Sequence, residues 1–250
     1  MSSHGWNETP SSSFADLKAI YRLAIRFALM SPALFLVPAF VELFQHYVEV
    51  DLGMYESMET FRTLALAPER LASGLAKVIA LTLPMYYYCR FLGFNGDVSR
   101  YTDFSYSAIK PFIPVFVLNV TLTLLVLSST SHYPDSNWPA ILQLATIPIG
   151  LYLTYWTVAR ALGSNDVSVK DSLITMNGHV LRALGYMVAG FLPLTMLHYL
   201  LVYPAIGANG IQLWAVLVLD SVVVAGIAMC MAGAVYFAAR WAIQSTLSEE

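Results

Sequence analysis

Charge is scarce in this chain. Only 12% of its 250 residues are Asp, Glu, Lys or Arg, against 58% apolar residues and a mean hydropathy of +0.63. That is too little polar surface to cover a water-soluble globule. Cysteine is nearly absent. Cys89 and Cys230 fall within or at the ends of apolar runs, and without a Cys-x-x-Cys spacing or a Cys/His cluster they read as small packing residues. No basic block is large enough to hold nucleic acid. The first residues lack the order of basic region, short apolar core and small-residue cleavage site that marks a signal peptide. His-Glu-x-x-His, Gly-x-Ser-x-Gly, a Gly-rich phosphate loop and close carboxylates in a cleft are all missing. Leu71-Ala-Ser-Gly74 offers a Ser-Gly pair, but Ser73 lies near the start of an apolar run with no evident base. No enzyme, cofactor or bound metal is expected.

What the chain has is long apolar runs. About 20 residues cross the hydrocarbon as a helix, and six runs suffice: Ala28 to Val48, Ala72 to Leu92, Pro111 to Ser129, Pro139 to Leu162, Leu184 to Tyr203 and Gln212 to Ala242. The expected fold is all-α, a polytopic membrane protein with six transmembrane helices. Residues 1–12 read as a disordered tail, 13–27 as an amphipathic interfacial helix, 28–245 as the six-helix domain and 246–250 as a C-terminal tail. Ten of the thirteen Lys and Arg lie near the N-terminus, in the connectors 90–110 and 160–182, or at Arg240. The positive-inside rule puts those segments and both termini in the cytoplasm, with a bacterial inner membrane as the expected location.

The connectors echo one another. Arg160-Ala-Leu-Gly-Ser-Asn-Asp-Val-Ser168 aligns with Arg90-Phe-Leu-Gly-Phe-Asn-Gly-Asp-Val-Ser99 after one inserted glycine. Ser13 to Asp16, Ser168 to Asp171 and, one residue longer, Ser99 to Asp103 all resemble capping boxes that open a helix. Arg90, Arg160 and Arg240 close three pairs of runs. The expected unit is an interfacial helix, a helix out and a helix back, repeated three times with the same topology. Lys18, Arg22 and Arg26 form a basic stripe on the first interfacial helix. With Arg90, Arg160 and Arg240 they are candidate contacts to lipid headgroups. Prolines in five runs predict kinked helices whose freed carbonyls need partners. The sixth run has no proline and carries Gly226, Ala228, Ala232 and Gly233, small residues that predict close helix packing. Membrane lipids are the expected partners, with another membrane protein or a second copy on the sixth helix. Tyr86, Tyr87, Tyr88 and Trp241 at the inner ends, and Tyr47, Tyr133, Trp138, Tyr199, Tyr203 and Trp214 at the outer ends, read as aromatic belts.

Paired helices behind amphipathic segments, Ser-x-x-Asp-Ser-Leu at Ser168 to Leu173, and Asn177-Gly178 before Leu184-Gly185 resemble the integral-membrane domain associated with some glycerophosphodiester phosphodiesterases and its uncharacterised stand-alone relatives. In those fused proteins the phosphodiesterase chemistry resides in a separate soluble barrel, for which this chain has no room. The resemblance implies a fold and no reaction.

Five ionisable residues fall inside runs: Glu42, His46, Lys77, His198 and Asp220. All map to the outer half. Asp220 lies roughly 13 Å into its helix, near the midplane, where an ionised carboxylate is costly without a partner. Lys77, at similar depth, is its expected partner. Glu42 and His46 have the i, i+4 spacing of a helical metal pair, but two ligands make no site. The expected function is a non-catalytic scaffold or accessory subunit acting through lipid and helix-face contacts. The alternative is a small carrier or lipid-handling protein that uses these polar residues.

Overall fold

The computed structural model describes residues 13–133 and 136–248, and these form helices with no strand among them. The tail expected over 1–12 and the capping role expected of the Ser13 side chain lie outside the described residues. In chain order the helices are α1 (Ser13–Met30), α2 (Pro32–Asp51), α3 (Met58–Thr63), α4 (Pro68–Gly93), α5 (Val98–Tyr101), α6 (Tyr106–Ile109), α7 (Ile113–His132), α8 (Trp138–Tyr152), α9 (Thr154–Ala161), α10 (Val169–Asn177), α11 (Val180–Ala205) and α12 (Gly210–Ser248). α12 continues through the start of the tail expected from 246; residues 249–250 lie outside the described part.

Four segments are long and apolar enough to cross a membrane: α2, Tyr106–His132 around α7, α11 and α12. A fifth is available if α8 and α9, bent by 62° at their junction, count as one. The sequence predicts six. The difference is α4, which is 26 residues long but carries Glu69, Arg70, Lys77 and Arg90.

α12 is the centre of the bundle. It packs against α11, α2, α4, α9 and α1, and more than half of its apolar window is buried. Its small residues serve that packing: a Cβ on Gly226 would sit 3.3 Å from Leu194, and one on Gly233 3.4 Å from Tyr88. Across the seam, a Cβ on Gly190 of α11 would lie 3.0 Å from the Cys230 carbonyl, so only glycine lets the two backbones approach this closely. The free cysteines Cys89 and Cys230 are buried packing residues, as expected.

Tyr86, Tyr87 and Tyr88 depart from the expected belt, because they lie inside the bundle. They join Phe27, Phe91 and Tyr101 in an aromatic cluster. Two tyrosines do more. Pro38 and Pro193 have no N–H, which frees the carbonyls four residues earlier, Leu34 and Ala189. The Tyr87 hydroxyl donates to Leu34 O (2.8 Å) and the Tyr21 hydroxyl to Ala189 O. Each of these two freed carbonyls is thereby satisfied from a neighbouring helix, the condition for tolerating proline in a bilayer. The outer-end aromatics Tyr47, Tyr133, Trp138, Tyr199 and Tyr203 are exposed, in keeping with a belt.

The basic end of the bundle is tied together by side chains that sequence reasoning assigned elsewhere. Asp16 is buried, accepts from the Tyr186 hydroxyl and from Arg240 Nη2 (both 2.8 Å), and so joins α1 to α11 and α12. Arg90 is buried as well and donates to Arg100 O (2.6 Å from Nη2) and Ala161 O (3.3 Å from Nη1). Arg160 bonds Asn165 Oδ1 (2.7 Å) and Val167 O (3.2 Å). The three arginines expected at lipid headgroups are therefore turned toward protein: Arg90 and Arg160 collect carbonyls at or near helix ends, and Arg240 pairs with Asp16. Lys18, Arg22 and Arg26 do form an exposed stripe on α1, opposite buried Ile20, Ala24 and Phe27.

The two connectors end their helices alike. Gly96 N bonds Phe91 O (2.8 Å) and Ser164 N bonds Ala159 O (2.9 Å), the six-residue closure of a Schellman turn, with Asn95 and Gly163 at the positive-φ position just before. The next helices then start on different caps. Asp97, not Ser99, caps α5 by accepting from Ser99 N, while Ser168 and Asp171 form the expected reciprocal box on α10. Hydrogen bonds from the Ser168 side chain and backbone hold the Asp171 carboxyl below its usual range. A depressed carboxylate stabilises above its unfolded value and loses that contribution as pH falls through the folded one. Amide exchange at the first turn of α10 is therefore expected to stay slow at neutral pH and to accelerate relative to its neighbours below about pH 4. Asp171→Asn should show the fast rate at every pH; equal rates in both proteins would remove the capping role.

The bend between α8 and α9 has its own cause. Within a helix Trp156 N would donate to Tyr152 O. Here Trp156 N donates to Ser172 Oγ (3.0 Å), and Ser172 Oγ donates to Tyr152 O (2.8 Å). A buried serine of α10 is inserted into the ladder, one of the recognised origins of a sharp kink.

Candidate functional site

At the end of the bundle opposite the arginine ties, α2 presents Glu42, Gln45, His46 and Glu49 on one face, at spacings of three or four residues. That face meets α4 and α12, the helices against which α2 packs most. All four side chains are buried, as is Asp220 on α12. A short 3-10 turn, Met54–Glu56, folds Tyr55 back over His46, and Gly207 N donates to Tyr55 O (2.8 Å), pinning this turn to the end of α11.

His46 is the hub. Its Nε2 lies 3.0 Å from Asp220 Oδ2 and 3.7 Å from Glu42 Oε1. Its Nδ1 lies 3.0 Å from Glu49 Oε2 and 2.9 Å from the Tyr55 oxygen. The Tyr55 hydroxyl donates to the same Glu49 oxygen (2.6 Å), and Gln45 Nε2 donates to Glu49 Oε1 (2.8 Å). Burial, with the Glu49 carboxylate beside it, pushes the Tyr55 hydroxyl far above its usual range, so it remains a donor at any physiological pH.

Three partly covered basic side chains rim this core. Lys77 Nζ is 2.6 Å from Glu42 Oε2, and Arg70 Nε is 3.2 Å from Glu49 Oε1; both are ion pairs whose angles fall outside hydrogen-bond geometry. His198 Nδ1 lies 2.8 and 2.9 Å from the two Asp220 oxygens. Three carboxylates face two side chains of fixed positive charge, so with both imidazoles neutral the network carries one net negative charge.

The structure thus brings together all five ionisable residues picked out within the apolar runs, Glu42, His46, Lys77, His198 and Asp220. It corrects one pairing: Lys77 meets Glu42, and Asp220 is held by the two histidines. Gln45, Glu49, Tyr55 and Arg70 were missed. The helical spacing from Glu42 through Glu49 could have exposed two of them, and the seven-residue interval from Arg70 to Lys77 puts both on one face of α4.

A second feature lies apart from the network. A groove of about 460 Å³ runs between α4, α7, α8 and α9, where Asn119, Thr123, Gln143, Thr146 and Thr157 interrupt an apolar lining. None of the network residues lines it.

Chemically, the network can hold a positive charge. A neutral imidazole has one N–H, and His46 faces carboxylate oxygens with both nitrogens. If Nδ1–H serves Glu49, then Nε2 turns a lone pair toward the oxygens of Asp220 and Glu42. Glu42, His46 and Asp220 each offer one such atom, all within 4.8 Å of one another, and all three residues are buried. No protein-family model, curated protein or solved structure matches this chain, so its chemistry rests on this geometry.

Proposed function

We propose that the protein is a small membrane carrier that binds a cation in the network of Glu42, His46, Glu49, Lys77, His198 and Asp220. The observation that supports this reading is the convergence of ionisable side chains from four helices on one centre built around buried Glu42, His46, Glu49 and Asp220. A bundle needs no such centre for stability, since apolar residues of similar volume serve a core as well or better. Ionisable groups at membrane depth mark ion pathways far more often than ornament. The rim position of Lys77, Arg70 and His198 gives the buried carboxylates a polar route outward.

The same reading takes α4 as a sixth crossing. Its Lys77 and Arg70 are neutralised by Glu42 and Glu49 of α2, which removes much of the penalty that its composition suggests. Six crossings put both termini on the basic side, the cytoplasmic one in a bacterial inner membrane. They also group the helices into three units, each a short or amphipathic segment followed by two crossings, the arrangement implied by the resemblance to the phosphodiesterase-associated membrane domain. The scaffold reading draws on one observation, the outward faces of α7 and α8, of which only Val115, Ser129 and Leu151 are buried.

Reconstitution tests the carrier. Vesicles loaded with a divalent-cation dye, or in parallel with a pH dye, should respond faster with the protein than without it. Asp220→Asn, which keeps the side-chain volume, should return the rate to that of empty vesicles. A wild-type rate equal to that of empty vesicles with both dyes would leave the scaffold reading.

A further inference from the structure

We infer that Glu42, His46 and Asp220 form a binding site for a divalent transition metal of the zinc class. This deepens the carrier reading by naming its cation, and it rests on that reading only for the transport step, not for binding.

The first argument is geometric. Ligand atoms of a tetrahedral zinc site with bonds near 2.0–2.1 Å stand about 3.3 Å apart. His46 Nε2 is 3.0 Å from Asp220 Oδ2 and 3.7 Å from Glu42 Oε1, values on either side of that edge length. The second of these is too long for a hydrogen bond. His198 Nδ1, bonded to both Asp220 oxygens, holds that carboxylate in place.

The second argument comes from what surrounds the ligands. In metal sites a ligating histidine gives its other ring N–H to a carboxylate or carbonyl, which fixes the ring and its tautomer. His46 Nδ1 faces Glu49 Oε2, and Glu49 is in turn held by Tyr55, Gln45 and Arg70. Four side chains thus hold the hub so that Nε2 points at Glu42 and Asp220. These ligating and orienting residues come from α2, the 55-turn, α4 and α12, so the site is set by the packing of the bundle and not by one flexible loop.

Third, the donor set selects among cations. One imidazole with two carboxylates suits zinc and its neighbours, whereas Mg²⁺ and Ca²⁺ favour all-oxygen shells. The network's single negative charge would be compensated by a divalent ion that keeps one hydroxide. It would be compensated equally by one proton on His46, and the measurement must separate these.

Purified full-length protein, stripped with a chelator and dialysed against Zn²⁺ alone, is expected to retain one zinc per chain after gel filtration and to ignore an excess of Mg²⁺ or Ca²⁺. Co²⁺ in its place should give the visible absorption of a tetrahedral, nitrogen-ligated ion. Asp220→Asn and His46→Gln should weaken zinc binding by more than about 100-fold, and the orienting change Glu49→Gln by about 10–100-fold. Lys77→Met removes a cation that competes for Glu42, so it should bind zinc as tightly as wild type or more tightly. Wild-type protein that retains no zinc overturns the site and leaves a proton on His46 as the missing charge. So does a Lys77→Met protein weakened as much as Asp220→Asn, because the substitutions would then be acting through the fold. Stoichiometric zinc without flux in vesicles keeps the site and removes the carrier. Flux without stoichiometric zinc removes the site and keeps the carrier.

Discussion

Asp220→Ala is expected to lower the thermal midpoint of the metal-free protein in detergent by roughly 6–20 °C, taking 3–5 kcal/mol for a broken buried pair and 2–4 °C per kcal/mol at this chain length. The size follows from what the aspartate holds. Its two oxygens are the partners of His46 Nε2 and His198 Nδ1, and its loss strips both rings at once while Glu42 and Glu49 stay in place. A double-mutant cycle separates charge from packing. Glu42→Leu by itself strands Lys77; Glu42→Leu with Lys77→Met removes the pair and restores an apolar seam between α2 and α4, so the double variant should be more stable than Glu42→Leu. Additive losses would mean that Glu42 and Lys77 are not energetically coupled.

The second large effect belongs to the other end of the molecule. Arg90→Lys should cost about 1–3 kcal/mol, since a lysine cannot span both carbonyls and the one left without its donor costs about that much. Arg90 donates through Nε and Nη2 to Arg100 O and through Nη1 to Ala161 O, and its guanidinium packs on the rings of Tyr86 and Phe94. It is the link between the end of α4, the α5 turn and the end of α9. Hydrogen exchange should therefore rise together at residues 98–102 and 159–164, although more than fifty residues separate these segments. Exchange that rises in only one of them would show that the arginine serves a local cap.

Much of this architecture was legible in the sequence because a bilayer makes hydropathy informative. The apolar runs become α2, α4, α7, α8 with α9, α11 and α12, and the small residues of the sixth run sit in its closest contacts. Partner choice was far less legible. Arg90, Arg160 and Arg240 look like headgroup anchors as long as each is read alone, yet the chain ends folded around them offer carbonyls and Asp16. The site shows the same limit. Glu42 and His46 stood out as charges in an apolar run, whereas Glu49, three residues beyond, passed for the polar flank of a finished span. Tyr55 and Arg70 joined only because a short turn and a helix start fold over the end of α2. Asp220 was rightly seen to need a partner, but two histidines on other helices proved nearer than the lysine at equal depth.

The serine wedged into the ladder between α8 and α9 bears on what counts as a membrane crossing. Excised from the chain, residues 138–161 could close that ladder into one helix about 36 Å long, bent only by Pro148 and long enough to traverse the hydrocarbon. In the intact protein Ser172, which lies downstream in sequence, diverts the second half by 62°. A ribosome releases residues 138–161 before Ser172 has emerged, so the 62° bend can form only afterwards. The geometry of this crossing is then fixed late in biogenesis, by a residue that belongs to the following connector.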